Sequence, residues 1–283
     1  MKLKANGKLN LVLDIGARED NGYHQMKMIM QTVSIADFID CDFKLDEPLE
    51  ITSSVEIEGE NIVAKAVRKY AEASNLAIGG KIHIDKNIPM TAGMGGGSAD
   101  CAAVLLALDR TFKKVDKQSL DAIALSLGAD VPFAMVGGTA YATGVGENLT
   151  PLSPLPQCYI VLASGGIKDS TGAMFGRFDQ AEEQFHPAIE DAINCVNKGE
   201  LESLCKLMGN SFAPLWQNDR VQFVCKAFED AGALGHSLSG AGPTLFGVFD
   251  SLEKAKMAAE TIHNHLGWSC ICQPTAKSIE EIE

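Results

Sequence analysis

No stretch of this sequence approaches the ~18 consecutive apolar residues of a membrane-crossing helix, so no membrane partner is expected. Positive charge is scarce: 24 Lys and Arg stand against 37 Asp and Glu, a formal net charge of -13. A nucleic-acid binder usually carries a basic face, and the chain as a whole does not, so no nucleic-acid partner is expected. The same imbalance works against long-range capture of an anionic ligand. A phosphate site must therefore be local, built from backbone N–H groups, a few Lys or Arg and a metal ion. The eight cysteines include no C-x-x-C pair. Several sit in apolar runs such as Cys101-Ala102-Ala103-Val104-Leu105, which fits buried free thiols in a reducing compartment. Cys270-x-Cys272 and His263-x-His265 are spaced too tightly for a structural zinc site. Internal repeats and low-complexity tracts are also missing. The opening Met1-Lys2-Leu3-Lys4 could pass for the charged start of a signal peptide. The apolar stretch behind it, however, is broken by Asn10 and Asp14 and has no small-residue cleavage site. A soluble cytoplasmic protein, monomer or homodimer, is the expectation.

What is present is the composition of an ordinary globular chain. Of 283 residues, 46% are hydrophobic and 22% charged, enough apolar mass for a real core in one large domain or two ordinary ones.

The first third alternates and reads mainly as strand: Lys8 to Ile15, Thr32 to Phe43 and Leu49 to Ile57. Gly59-Glu60-Asn61 starts a helix over Ile62 to Ser74, with Val63, Ala66, Val67 and Tyr70 on one face; Gly79-Gly80 is read as its stop. Lys81 to Lys86 is a strand, Ser98 to Phe112 a helix, Ser119 to Leu127 a helix ended by Gly128. Val136 to Thr143 reads as a strand kinked at Gly137-Gly138. Pro151, Pro154 and Pro156 mark a linker between two lobes. Beyond it come a strand at Tyr159 to Ala163, two or three helices between Ala181 and Ala231, a strand at Thr244 to Phe249 and a helix at Ser251 to Leu266.

The most informative segment lies between strand 81–86 and the helix that begins near Ser98. Four glycines, Gly93, Gly95, Gly96 and Gly97, fall within five positions there. Glycine permits positive φ and a close approach of backbone to ligand. A helix N-terminus adds free N–H groups and partial positive charge. Together they make an anion cradle suited to a polyphosphate, and Ser98 is placed to cap the helix or reach a phosphate or its metal. No Lys-Ser or Lys-Thr follows the last glycine, so this is not a Walker loop. The spacing is also wrong for a dinucleotide fingerprint, and no acidic residue closes a strand ~20 residues on.

Pro89-Met90-Thr91-Ala92-Gly93-Met94-Gly95-Gly96-Gly97-Ser98-Ala99-Asp100 resembles the ATP-binding loop of the GHMP kinases. Further segments narrow the resemblance to that family's diphosphocytidyl-methylerythritol kinase branch. These are Lys8-Leu9-Asn10-Leu11, Gly22-Tyr23-His24, Leu127-Gly128-Ala129-Asp130-Val131-Pro132-Phe133, Gly144-Val145-Gly146-Glu147 and Leu238-Ser239-Gly240-Ala241-Gly242-Pro243. They follow family order from residue 8 to residue 249. The chain departs from the branch's pattern in three places. Ala99 stands where a second serine is usual, the stretch 163–171 lacks the usual Lys-Pro start, and Asn210-Ser211-Phe212-Ala213 replaces an Asn-Asp-Leu-Glu helix start.

The resemblance implies an α+β protein with the two-lobed GHMP kinase fold. Residues 1–150 would be the N-terminal ATP-binding domain and 151–283 the C-terminal domain, with the active site in the cleft between them. It implies ATP and Mg2+, with no protein metal ligand identified, and residues 89–99 as the nucleotide loop. It implies Lys8 and Asp130 as a catalytic pair. Asp130 would orient an alcohol and accept its proton, and Lys8 would offset charge on the moving phosphoryl group. Standing alone, Asp130 would read as a cap after Gly128. Tyr23 would stack on a cytosine and His24 would hydrogen-bond its edge, with Asn10 and Thr171 as further substrate contacts. The substrate would be a cytidine diphosphate-linked methylerythritol. A mevalonate or homoserine kinase, or a nucleotide-binding member without turnover, stay open as alternatives. Gly-Tyr-His argues against the first two, and retention of both Lys8 and Asp130 argues against the last.

Overall fold

The computed structural model describes residues 1–20, 22–57, 59–168 and 170–282. The first part of the chain runs β1 (Lys2–Arg18), β2 (His24–Leu45), β3 (Leu49–Ser53), α1 (Ile62–Ser74), β4 (Ile78–Asp85), α2 (Gly96–Phe112), α3 (Lys117–Leu127), α4 (Val131–Val136), β5 (Thr139–Gly144) and β6 (Asn148–Pro151). The rest runs β7 (Tyr159–Ser164), α5 (Thr171–Asp179), α6 (Ile189–Lys198), α7 (Leu201–Leu207), β8 (Gly209–Asn210), α8 (Asp219–Asp230), β9 (Gly235–Leu238), β10 (Thr244–Phe249), α9 (Leu252–Leu266), β11 (Cys270–Cys272) and β12 (Ile279–Ile282). No helix among the described residues is long and apolar enough to cross a membrane.

One sheet has the order β12-β1-β2-β4-β3, with β5 pairing β2 and β6, and with β8 beside β1; a second has the order β11-β7-β10-β9. β1 belongs to the whole molecule. Leu3 and Ala5 join a core with α1, α2 and α3. Leu9, Leu11 and Val12 join another with α6 and β7. Leu13 and Ile15 join a third with α8 and α9. The alternation expected of residues 8–15 is therefore absent in burial: every residue from Ala5 to Leu13 is buried. A strand covered on both faces has no solvent side to alternate with. The β1–β2 register slips between Asn6 and Gly7 and again between Asn10 and Val12. These irregularities bracket Lys8 and Asn10, and bulges of this kind re-aim side chains.

The strands at 8–15 and 32–43 extend further than their sequence signals, because β1 and β2 pair along almost their whole lengths. Helix α1 keeps the expected bounds and its buried face of Val63, Ala66, Val67 and Tyr70; Asn61 Oδ1 accepts from the Val63 amide at 2.9 Å. Its stop is Asn75, in the left-handed region at φ 53°, and not Gly79-Gly80. Those glycines lie inside β4, where a Cβ on Gly79 would sit 1.8 Å from the Glu47 carbonyl oxygen. Close passage of the β2–β3 connection, not helix termination, excludes a side chain there. The strand expected from Val136 begins only at Thr139. Val131, Phe133 and Ala134 are buried on the helix α4 that precedes it, and Gly137 ends that helix with φ 75°. All eight cysteines are unpaired; Cys41, Cys101, Cys158, Cys205 and Cys272 are buried.

Candidate active site

The glycine segment connects β4 to α2 as an open turn. Thr91, Gly93 and Gly95 all have positive φ, at 54°, 80° and 66°. Gly95 is the residue before the first turn of α2, and no side chain caps that turn. The amides at its start therefore lack intrahelical partners and face a cleft of about 600 Å³. Residues 89–98 line this cleft together with Ile57, Asn61 and Ile62. Ala99 does not: its methyl is buried in the α1–α2 core. The missing second serine is thus a missing hydroxyl at a packed position.

The loop is held from both lobes. The Lys8 amide donates to the Met94 carbonyl at 2.9 Å, and the Thr244 amide donates to the Ala92 carbonyl at 3.2 Å. The Ser239 hydroxyl donates to the Gly93 carbonyl at 2.9 Å. Behind the loop, the buried Lys86 ammonium ion-pairs with Asp37 and, at 2.7 Å, with Asp100 Oδ2. Asp37 Oδ1 also accepts from the amides of Asn87 and Ile88 at 2.6 and 2.8 Å, which anchors the start of the loop. Asp100 Oδ1 is buried with no hydrogen-bond partner. Burial pushes the Asp100 carboxyl up to about 7, with Lys86 opposing the shift and Asp37 adding to it.

Lys8 Nζ lies 3.3 Å from Asp130 Oδ2 and donates to Asn10 Oδ1 at 2.7 Å. Lys8 and Asn10 are two positions apart on one strand and so share a face. Asp130 stands at the start of α4, yet its carboxylate makes no capping hydrogen bond. It is turned to Lys8 instead, so the capping alternative does not describe it. Gly95 closes over the pair: a Cβ there would lie 3.1 Å from Lys8 Cγ and 3.7 Å from Asp130 Oδ2.

A second cleft, of about 1100 Å³, opens on the other side of this pair. Lys8, Asn10, Tyr23, His24 and Thr171 line it. Gly93, Ser98, Asp130, Lys168 and Thr171 line both clefts, which therefore meet at the Lys8–Asp130 pair. In the larger cleft Tyr23 is 64% exposed. His24 is buried, stacked on Phe175 at 5.0 Å, with Nε2 2.7 Å from Asp179 Oδ1. The imidazole is thus oriented by a carboxylate, and that nitrogen is engaged by protein.

Phe175, Asp179 and Lys168 are site residues that the sequence reading missed. Thr171, Phe175 and Asp179 recur at every fourth position of α5, one face of a helix. The signal for α5 was Ser170, whose hydroxyl accepts from the Ala173 amide at 3.0 Å as an N-cap. Among the described residues no group of three or more His, Cys, Asp or Glu could hold a metal ion. The side-chain oxygens on offer where the clefts meet are the Ser98 and Thr171 hydroxyls and the Asp130 carboxylate. That sparse set suits Mg2+, which keeps water and takes other ligands from substrate phosphates.

Comparison with known proteins agrees with this geometry. Residues 61–138 match the family model "GHMP kinases N terminal domain", and residues 188–266 match "GHMP kinases C terminal". The 4-diphosphocytidyl-2-C-methyl-D-erythritol kinase of Clostridium tetani is 36% identical over 276 residues, covering 94% of this chain and 98% of that protein. A crystal structure of 4-(cytidine 5'-diphospho)-2C-methyl-D-erythritol kinase superposes with a TM-score of 0.81 at 30% identity, over 97% of this chain and 99% of that one. Homoserine kinase from Cytophaga hutchinsonii shares the fold, with a TM-score of 0.75 at 17% identity over 100% of this chain and 97% of that one. A loop cradle, a lysine–aspartate pair and adjoining clefts are thus carried on an α+β scaffold whose both halves match one family along nearly the whole chain: the chain belongs to the GHMP kinases, in their 4-diphosphocytidyl-2-C-methyl-D-erythritol kinase branch.

Proposed function

We propose that this chain transfers the γ-phosphoryl group of ATP to the 2-hydroxyl of 4-diphosphocytidyl-2-C-methyl-D-erythritol. The products are the 2-phosphate and ADP, a step of non-mevalonate isoprenoid precursor synthesis. The observation that carries the reading is the meeting of a loop-lined cleft and a larger cleft at Lys8 and Asp130. A donor in one and an acceptor in the other would react across that pair.

In this reading the α2 N-terminus and residues 89–98 bind the triphosphate. The substrate hydroxyl oxygen bonds to the γ-phosphorus while the bond to the β,γ-bridging oxygen breaks, and ADP leaves with that electron pair. Asp130 orients the hydroxyl and accepts its proton. Lys8, held in place by Asn10 and paired with Asp130, faces the charge that develops on the phosphoryl oxygens. Mg2+ would be held by the nucleotide's phosphates, with Ser98 and Asp130 as protein oxygens within the same junction. When bound it supplies charge neutralisation. In the larger cleft Tyr23 would stack on cytosine, an interaction worth ~1–3 kcal/mol. His24, oriented by Asp179, would read the base edge, and Thr171 would contact the substrate near the reacting end.

The boundary between lobes near residue 150 belongs to the same reading. It is supported by β6 closing the run of consecutive strands in the first sheet and β7 opening the second. A cytoplasmic location and a monomer or homodimer complete it.

A coupled assay for ADP release tests the reading. Turnover with the cytidyl substrate and none with mevalonate or homoserine is the expected result. Turnover only with mevalonate or homoserine, or ATP binding without turnover on any of them, would replace it. Lys8→Ala and Asp130→Asn should stay folded and lose at least ~100-fold in kcat; near-normal turnover in either removes that residue from the mechanism.

A further inference from the structure

We propose that Lys168 is a further catalytic residue, whose ammonium binds an oxygen of ATP's γ-phosphoryl group where the two clefts meet. The inference deepens the kinase reading above and rests on it.

The argument starts from the charges around the two clefts. Lys86 lines the nucleotide cleft, but it is buried and paired with both Asp37 and Asp100. Lys8 is paired with Asp130. Arg18 lines the larger cleft and sits 3.6 Å from Asp179. Lys168 lines both clefts, and among the described residues no carboxylate lies within ion-pair distance of it. Its Nζ makes one long hydrogen bond, donated to Thr171 Oγ1 at 3.4 Å. With Lys8 and Asp130 paired, Lys168 is, among the described residues, the positive charge without an ion-pair partner where the clefts meet. An arriving γ-phosphoryl group would meet that charge directly.

The electrostatics of the lysine agree. Burial pushes the Lys168 ammonium below the ordinary lysine value, and the nearby Lys8 charge pushes the same way. Two cations are thus held near each other in a partly desolvated place, an arrangement an anion relieves. A loose phosphoryl-transfer transition state spreads negative charge over the three equatorial oxygens, beyond the reach of one lysine. Lys8 comes from β1 and Lys168 from the opposite lobe, so they can face different oxygens of one phosphoryl group.

The position is also one that substitution can test. Lys168 comes after β7 and before α5, and the neighbouring Ile167 is 97% exposed. Lys168 itself is half-buried, so the urea midpoint of each variant is measured alongside turnover to separate loss of function from loss of fold.

The test is the set Lys168→Ala, Lys168→Met and Lys168→Arg. The expected result is that Ala and Met lower kcat at least ~30-fold, as removal of a charged transition-state donor does. KM for the cytidyl substrate should move less than about threefold, and Arg should recover much of the loss. Calorimetric binding supplies a second readout. Lys168→Ala should weaken the imido analogue of ATP and leave ADP unchanged, since only the former carries a γ-phosphoryl group. Equal weakening of both, or kcat within about threefold of wild type, would overturn the proposal. Wild-type turnover on the cytidyl substrate is measured first. Should it be absent, the kinase reading fails by itself, while the comparison of ADP with the ATP analogue still decides whether Lys168 meets a γ-phosphoryl group.

Discussion

Ser239 and Gly93, 146 positions apart, are joined by a hydrogen bond from the serine hydroxyl to the glycine carbonyl at 2.9 Å. The same hydroxyl accepts from the amide of Asn10 at 3.3 Å, so one buried oxygen links the glycine-rich loop, β1 and the β9–β10 connection. Ser239→Ala would leave both backbone groups unsatisfied, costing about 1–3 kcal/mol. The urea midpoint should fall accordingly. KM for ATP should rise several-fold with a smaller change in kcat, because the loop loses its anchor and the catalytic pair does not. An unchanged midpoint would mean that water replaces the hydroxyl without loss.

Glycines in the loop serve different ends, and substitution separates them. A Cβ on Gly97 would meet nothing nearer than Ile62 Cγ2 at 3.9 Å. Gly97→Ala should therefore fold normally, since Ala is the better helix former by about 1 kcal/mol. Its methyl would enter the phosphate space, and ATP affinity should drop about tenfold or more. Gly95→Ala faces left-handed backbone, a cost of roughly 1–2 kcal/mol, and contact with Lys8, so kcat should suffer. If Gly97→Ala binds ATP like wild type, the phosphates lie elsewhere.

Asp179 offers a test of the larger cleft. Asp179→Asn weakens the hold on His24 Nε2 without changing size. We expect KM for the cytidyl substrate to rise about tenfold, the order of one lost charged hydrogen bond, with KM for ATP unaffected. Equal effects on both would assign Asp179 to general stability.

Asp100 predicts a pH signature. Its carboxyl has an ordinary value of 3.8 and is pushed up to about 7 in the fold. Between those values the folded chain holds a proton that the unfolded chain has released. This group's contribution to stability thus falls as pH rises through that window. Asp100→Asn carries no such proton. Its stability relative to wild type should therefore grow between pH 4.5 and pH 7.5, measured as the difference in urea midpoints. Parallel profiles would rule out the raised carboxyl.

The sequence was most legible where chemistry is local. The start of α1 after Gly59-Glu60-Asn61, its buried stripe and the glycine-rich entry to α2 depend on neighbours within a few residues, and all stand where the pattern placed them. The family resemblance supplied the pairing of Lys8 with Asp130, which spacing alone does not contain. Gly79-Gly80 was misread because its causes are distant backbone, that of Glu47 in the β2–β3 connection at Gly79 and that of Asp42 in β2 at Gly80. Helix α4 was misread because Gly137-Gly138 can end a helix as readily as kink a strand. Phe175 and Asp179 went unseen for want of α5, whose cap at Ser170 was not read as a helix start, and Lys168 lies just ahead of that cap.

β1 and β12 carry a further consequence, for how the chain is made. Lys2 to Ala5 pair with Ile282 to Ile279, with a salt bridge from Lys4 to Glu280 at 3.6 Å. Synthesis on the ribosome delivers these partners far apart in time. Until residues 279–282 emerge, the outer edge of β1 over residues 2–5 hangs open, a template for pairing with another nascent chain. Lys2 and Lys4 lie on that edge, where charged side chains discourage such pairing. The acidic strand at 279–282, made long after β1, then converts the same lysine that kept strangers away into half of a native contact.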